Sequence, residues 1–315
     1  MLEFPTLNST ITETEKNMKF TKMHGAGNDY VYVNGFEYDL DWEHISQTVS
    51  DRHKGIGADG LIVACPPSND SDLKMRMFNA DGSEGEMCGN GIRCLVAFAR
   101  DEGLVESKAQ VVRVETLAGD LDVFPIVENN EMVGAKVSMG SPILIPKDIP
   151  VAIGDDESIL DYSLNVDNHE FSFNFVSMGN PHAVAFIEDE VDDFPLELIG
   201  PQIENHAIFP NKVNFEIVNV IGPSELKMRV WERGSGITMA CGTGACAVAV
   251  AAHLKGITTD AVDLRLPGGD LKVRWDGVGE VELEGPVETV YLSLIHISEP
   301  TRRYAISYAV FWVKK

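Results

Sequence analysis

No apolar run in this 315-residue chain approaches the ~20 residues that a membrane-spanning helix needs. Basic residues are scarce as well: 25 Lys+Arg stand against 49 Asp+Glu, a formal charge of −24. Such a surface repels nucleic acid and anionic membranes, so neither is an expected partner. Cysteine occurs only at positions 65, 88, 94, 241 and 246. An odd, sparse set in a long chain excludes a secreted disulfide framework. No Cys-x-x-Cys pair is present and the spacings do not fit zinc, so no metal is expected. Residues 1–17 lack the basic start and apolar core of a signal peptide, which makes the cytoplasm the expected compartment. What is present, 44% hydrophobic residues over this length, supplies core for two medium domains.

Two of the cysteines open the same short phrase, once in each half: Cys88-Gly-Asn-Gly-Ile-Arg-Cys94 and Cys241-Gly-Thr-Gly-Ala-Cys246. Each runs directly into an apolar stretch free of Pro, which predicts a buried helix with a thiol at its start. Free backbone N–H groups and the helix dipole at that place stabilise a thiolate and lower its pKa. The adjacent glycines let the backbone approach an anionic ligand closely. One such thiol would point to a nucleophile. Two, one from each half, point to an acid/base pair facing each other across a shared substrate. Cys65, Cys94 and Cys246 fit the commoner role of small buried hydrophobes.

The order of elements repeats. The pattern predicts strands at residues 20–23, 30–34, 61–65 and 74–79, and a short helix at 42–50. The first cysteine helix at 89–101 follows, with a hairpin of 111–115 and 120–127 after it. The second half predicts strands at 135–139, 171–177, 183–187, 214–220 and 225–231 and a helix at 197–204. The cysteine helix at 242–254 comes next and a hairpin of 270–275 with 280–284 closes the series. The second cysteine helix carries no charge until Lys255, the mark of a helix buried on all sides. An internal duplication with its boundary near Gly134 accounts for the order.

Polar residues cluster in the same neighbourhoods: Asn79 before Cys88, Asn180 and His182 in the corresponding part of the second half, Asn214 on a strand, and Glu232-Arg233 before Cys241. Taken singly, an Asn in a turn serves local backbone hydrogen bonds, and a Glu-Arg pair is a solvated face.

Taken together, residues 18–291 resemble the diaminopimelate epimerase family. The resemblance rests on Lys22-Met-His-Gly-Ala-Gly-Asn-Asp29, Asp51-Arg-His-Lys-Gly-Ile-Gly-Ala-Asp-Gly60, Phe78-Asn-Ala-Asp-Gly-Ser83, both cysteine phrases, Met178-Gly-Asn-Pro-His182 and Glu232-Arg-Gly234. It implies an α+β fold of two similar domains, each a strand-rich, barrel-like sheet around a central helix, with the site in the cleft between them. It also implies cofactor-free epimerisation of LL- to meso-diaminopimelate by Cys88 and Cys241 as thiolate and thiol. Inversion without a covalent link needs a base and an acid on opposite faces of a planar carbanion. Gly89, Asn90, Gly242 and Thr243 match the family's contacts to the α-carboxylate. Asn28, Asn79, Asn180, Asn214, Glu232 and Arg233 match positions that hold the rest of the substrate. His182 and Glu232 match positions that tune the thiols. Lys54 is left without a role. A homodimer is implied too.

Three rivals share parts of this pattern. A proline-racemase-like enzyme has the architecture and paired cysteines, but usually His where Asn90 stands. A phenazine-biosynthesis-type isomerase has the fold without the two thiols. A non-catalytic thiol redox protein would also bring two thiols together.

The domains are expected at 18–134, with a return segment at 285–291, and at 135–284, after an N-terminal extension at 1–17. Residues 292–302 and 306–311 resemble the in-frame translation of a sequencing adapter. The tail 292–315 is therefore expected to be non-native and to lie outside the fold.

Overall fold

The computed structural model describes residues 15–154, 157–167 and 169–298. In the first half, β1 (Glu15–Gly25) pairs antiparallel with β2 (Asn28–Asn34). Helix α1 (Trp42–Ser50), capped by the Asp41 carboxylate, carries the chain across to β3 (Gly60–Cys65), which is parallel to β2. Next come β4 (Leu73–Asn79), the two-residue β5 (Glu84–Gly85) and the long helix α2 (Gly89–Asp101). Strand β6 (Val112–Thr116) returns parallel to β4, and β7 (Gly119–Glu128) and β8 (Glu131–Ser138) follow antiparallel.

The second half starts with an edge strand, β9 (Tyr162–Val166), paired with β10 (His169–Ser177), and then repeats the series. Strand β11 (Pro181–Phe186) pairs antiparallel with β10; α3 (Leu196–Glu204) crosses to β12 (Asn214–Gly222), parallel to β11. Strands β13 (Glu225–Glu232) and β14 (Gly236–Ile237) lead into α4 (Gly242–Leu254). Strand β15 (Ala261–Leu266) lies parallel to β13, followed antiparallel by β16 (Gly269–Arg274) and β17 (Glu282–Pro286). The final strand β18 (Glu288–Ser298) returns to β1. From β1 to β8 and from β10 to β17 the elements and the sense of every pairing correspond one to one, so the duplication expected from one repeated phrase extends through the fold. The register corresponds as well: Tyr30 opposes Gly60 between β2 and β3, and His182 opposes Asn214 between β11 and β12.

The halves share one continuous sheet, joined where β8 pairs with β17. The boundary expected at Gly134 falls inside β8, which pairs with β7 and β17 at once. Each long helix is wrapped by strands. In α4 the residues from Gly244 to Ala252 are all buried, and small Ala, Val and Gly side chains let strands close on every face. In α2 even Arg93 is fully buried.

Four strands escaped the sequence pattern, the two-residue β5 and β14 and the longer β9 and β15. Strand β9 is an edge with little burial, and β15 alternates buried Val262, Leu264 and Leu266 with polar residues that resemble a loop. The tail needs a correction. The β1–β18 ladder runs past Tyr291 as far as the pairing of Glu15 with Ser298. Ser293 and Ile295 are buried while Leu294 is exposed. Residues 292–298 are thus part of the sheet: no Pro interrupts the stretch ahead of Pro300, and its backbone pairs residue by residue with β1. Residues 15–17 pair with residues 296–298 in the same ladder and so belong to β1, rather than to an extension. The expectations for residues 1–14 and 299–315 lie outside the described residues.

Candidate active site

Cys88 and Cys241 are the N-cap residues of α2 and α4. Each backbone is extended at the cap and each sulfur accepts a hydrogen bond from the N–H three residues on: Gly91 to Cys88 Sγ at 3.3 Å, Gly244 to Cys241 Sγ at 3.4 Å. The phrase Cys-Gly-x-Gly thus builds a sulfur N-cap twice. The two helix starts meet at the join between the halves. A methyl group placed on Gly242 would sit 3.6 Å from Gly89 Cα, ordinary contact, and 3.0 Å from Leu283 Cδ2, which would have to shift, so the two glycines lie close together at the join. Asn90 bridges the join by donating from Nδ2 to the Ala240 carbonyl at 3.2 Å. Arg93 holds Asn90 in turn, donating to its Oδ1 at 3.0 Å and to the Gly89 carbonyl at 2.9 Å.

The polar surroundings differ between the two thiols. Cys88 Sγ donates to Asn28 Oδ1 at 3.2 Å, and Asn28 Nδ2 donates to Asp59 Oδ2 at 2.7 Å. A carboxylate can only accept, so Asp59 fixes which end of the Asn28 amide faces the sulfur. Arg52 grips Asp59 and Asp29 together, and the buried Lys22 pairs with Asp29 at 2.6 Å. These four charged residues bind the two motifs 22–29 and 51–60 into one frame behind Asn28. The Lys54 backbone N–H donates to Asp51.

Beside Cys241, Thr243 Oγ1 lies 3.5 Å from the sulfur and accepts from Asn180 Nδ2 at 3.2 Å. Asn180 Oδ1 is 3.0 Å from His182 Nε2, and His182 Nδ1 is 2.6 Å from Glu216 Oε1. His182 and Glu216 are fully buried. Asn214 spans to the Pro181 carbonyl and accepts from the Arg233 backbone N–H. The Thr238 hydroxyl donates to Glu232.

Electrostatics overturn one expectation. Burial outweighs the caps and pushes both thiols up, Cys88 moderately and Cys241 well above the ordinary thiol range. The backbone N–H groups do pull down, but the Glu232 carboxylate raises both sulfurs and Glu216 adds to it at Cys241. Burial raises Glu232 itself. The helix interiors are more extreme: burial pushes the Cys94 and Cys246 thiols up to about 11 and about 12.

Of the residues singled out in the sequence, Cys88, Gly89, Asn90, Asn28, Asn180, His182, Cys241, Gly242 and Thr243 therefore gather around the two helix starts. Glu232 acts on both thiols, and Asn214 ties Arg233 to the same frame. Asn79 and Arg233 are exposed at the rim, with side chains bonded to Ser83 and to the Asn211 carbonyl. The sequence reading missed Asp59, Arg52, Asp29, Lys22 and Glu216. The first four stand in quoted motifs, where opposite charges beside glycines were the available signal; Glu216 gave none, as one acid in an apolar strand reads as a solvent-facing position.

A family model described as diaminopimelate epimerase matches residues 20–145 and 174–290. A protein named diaminopimelate epimerase from Acetivibrio thermocellus is 48% identical over 284 residues, 90% of this chain and 100% of that one. One of the same name from Methanococcus maripaludis is 47% identical over 282 residues, 89% of this chain and all of its own. Among solved structures, a hydroxyproline epimerase from Agrobacterium vitis superposes with a TM-score of 0.66 at 16% identity, covering 92% of this chain and 94% of that one, a likeness of fold.

Proposed function

Because the chain belongs to the diaminopimelate epimerase family, we propose that it interconverts LL- and meso-diaminopimelate by moving a proton at one α-carbon between Cys88 and Cys241. The observation that carries the reading is the meeting of two sulfur-capped helix starts, one from each half, at Gly89 and Gly242. One sulfur, as thiolate, takes the α-proton while the other, as thiol, gives a proton to the opposite face. No cofactor enters the step, so the charge that develops on the α-carbon and carboxylate must be met electrostatically. In this reading the N–H groups at the starts of α2 and α4, with Asn90 and Thr243, do so. The α-ammonium that arrives with the substrate opposes the carboxylate charge that holds the thiols up, which favours the thiolate only when substrate is bound.

Asn28, Asn79, Asn180, Asn214, Glu232 and Arg233 hold the remainder of the substrate in this reading. Arg233, exposed at the rim with one N–H on the Asn211 carbonyl, suits a distal carboxylate because a guanidinium can grip both oxygens. His182 and Glu232 tune the sulfurs. The reading extends to a cytoplasmic homodimer, checked by sedimentation of the purified protein. The activity is tested by incubating the protein with LL-diaminopimelate and resolving the isomers. Formation of the meso isomer, with proline and glutamate unchanged, is expected; racemisation of proline at a comparable rate would reassign the enzyme.

A further inference from the structure

The correspondence between halves isolates one residue that packing does not explain. Under the first turn of α2, a methyl group on Gly91 would meet Ile62 Cδ1 at 2.5 Å; under α4, one on Gly244 would meet Glu216 Oε1 at 2.8 Å. Ile62 and Glu216 occupy the same register on β3 and β12, opposite the residues that follow Tyr30 and His182 by two on β2 and β11. An isoleucine therefore satisfies the fold at this place in one half. In the other half stands a fully buried carboxylate, and its Oε2 has no hydrogen-bond partner among the described residues. A buried carboxylate oxygen left bare costs stability, so its retention asks for a role beyond packing.

The hydrogen bonds give that role. Asn180 Nδ2 is committed to Thr243 Oγ1, so its Oδ1 faces His182 Nε2 and requires a proton there. His182 Nδ1 meets Glu216 Oε1 at 2.6 Å. With Nε2 donating, a proton on Nδ1 makes the ring an imidazolium whose charge the Glu216 carboxylate balances. The remaining steps lead outward, from Asn180 to Thr243 and from Thr243, whose own hydrogen is free to donate, to Cys241 Sγ. The other charged groups facing this chain are Glu232 on β13, which His182 pulls down and Glu216 pushes up, and Cys241 itself.

We propose that Glu216 is a positioning residue: its carboxylate holds His182 as an imidazolium with both ring nitrogens donating, and thereby aims Asn180 and Thr243 at the sulfur of Cys241. It touches no substrate. This rests on the epimerase reading for its consequence, though not for its geometry. At the equivalent place in the first half, Tyr30 and Ile62 supply no such charge, so the two thiols are set up by different means on a common frame.

Nitrogen-15 NMR of histidine-labelled full-length protein tests the charge state without any substrate. Both His182 nitrogens, assigned with His182→Gln, are expected to carry a proton, Nδ1–H bonded to Glu216 and Nε2–H to Asn180. A pyridine-type nitrogen on His182 overturns the proposal, whether or not the protein epimerises anything. In the activity arm, Glu216→Gln and Glu216→Ile are expected to lower kcat by at least about tenfold with KM within about threefold, and to alter the pH profile. Wild-type kcat and pH profile in a folded Glu216→Ile protein also overturn it. Should that variant fail to fold, Glu216→Gln and the wild-type NMR decide. An inactive wild-type protein with a doubly protonated His182 would count against the epimerase reading alone.

Discussion

At the scale of single residues, Cys88 and Cys241 are proposed to do the same kind of work from opposite sides of the substrate. Either Cys88→Ala or Cys241→Ala should lower epimerisation by roughly a thousandfold, within the range that general acid–base groups supply. The double variant should be little worse, because groups acting as one unit are not additive. Cys65→Ala, half-buried at the end of β3, should be nearly silent in the same assay. A second prediction concerns pH. Glu232 raises both thiols. Removing its charge lowers them, so the ascending limb of kcat/KM against pH should move to lower pH in Glu232→Gln; a shift upward would contradict the electrostatic picture. The sulfurs, their glycines and Asn90 were legible because one phrase repeats. The direction of the thiol shift was not: a helix N-terminus can be read from sequence, whereas the depth at which it is buried cannot. Glu216 was hidden for a related reason. Residues Asn214 to Val218 in β12 are buried on both faces, so alternation gives no hint that its one acid points inward.

Elements carry the next set of consequences. The two long helices were readable to the residue, since a capping phrase starts each and an apolar, Pro-free stretch fills it. Strands with one polar face, such as β15, were not, because buried and charged residues alternate there as they do in loops. Within α2 and α4, Cys94 and Cys246 hold protons up to about 11 and about 12, above the ordinary thiol value near 8.5. Their folded-state values are raised, so the stability they contribute is full below the unfolded thiol pKa and is lost as pH climbs from about 9 through 11 and 12. Denaturant midpoints should therefore fall over that alkaline window, and fall less in Cys246→Ala after allowance for its lower starting stability. A midpoint unchanged between pH 9 and 11.5 would oppose this. Strand β18 makes a sharper test of where the fold ends. Ile295 is buried and Leu294 exposed. Ile295→Ala should cost about 2–3 kcal/mol by chemical denaturation, against less than about 0.5 kcal/mol for Leu294→Ala. Equal, small effects would mean that residues beyond Tyr291 contribute nothing.

For the whole molecule, duplication explains both the symmetry of the frame and the asymmetry of the site. Two copies of one β-strand series join through β8 and β17, which fixes two helix starts face to face. Later divergence then gave one sulfur a frame of Lys22, Asp29, Arg52 and Asp59 around Asn28, and gave the other a buried histidine and glutamate. The net charge of −24 acts at this scale too. Self-repulsion in a compact acidic body weakens as salt screens it, so the melting temperature should rise between about 0.05 and 0.5 M KCl. The central claim, two opposed sulfurs exchanging one α-proton, is tested most directly by following LL-diaminopimelate in heavy water by NMR. At early times deuterium should appear at the α-carbon of newly formed meso product while the recovered LL substrate keeps its protium, because each face is served by a different sulfur. Equal deuterium in both isomers from the outset, the mark of one base serving both faces, would contradict it.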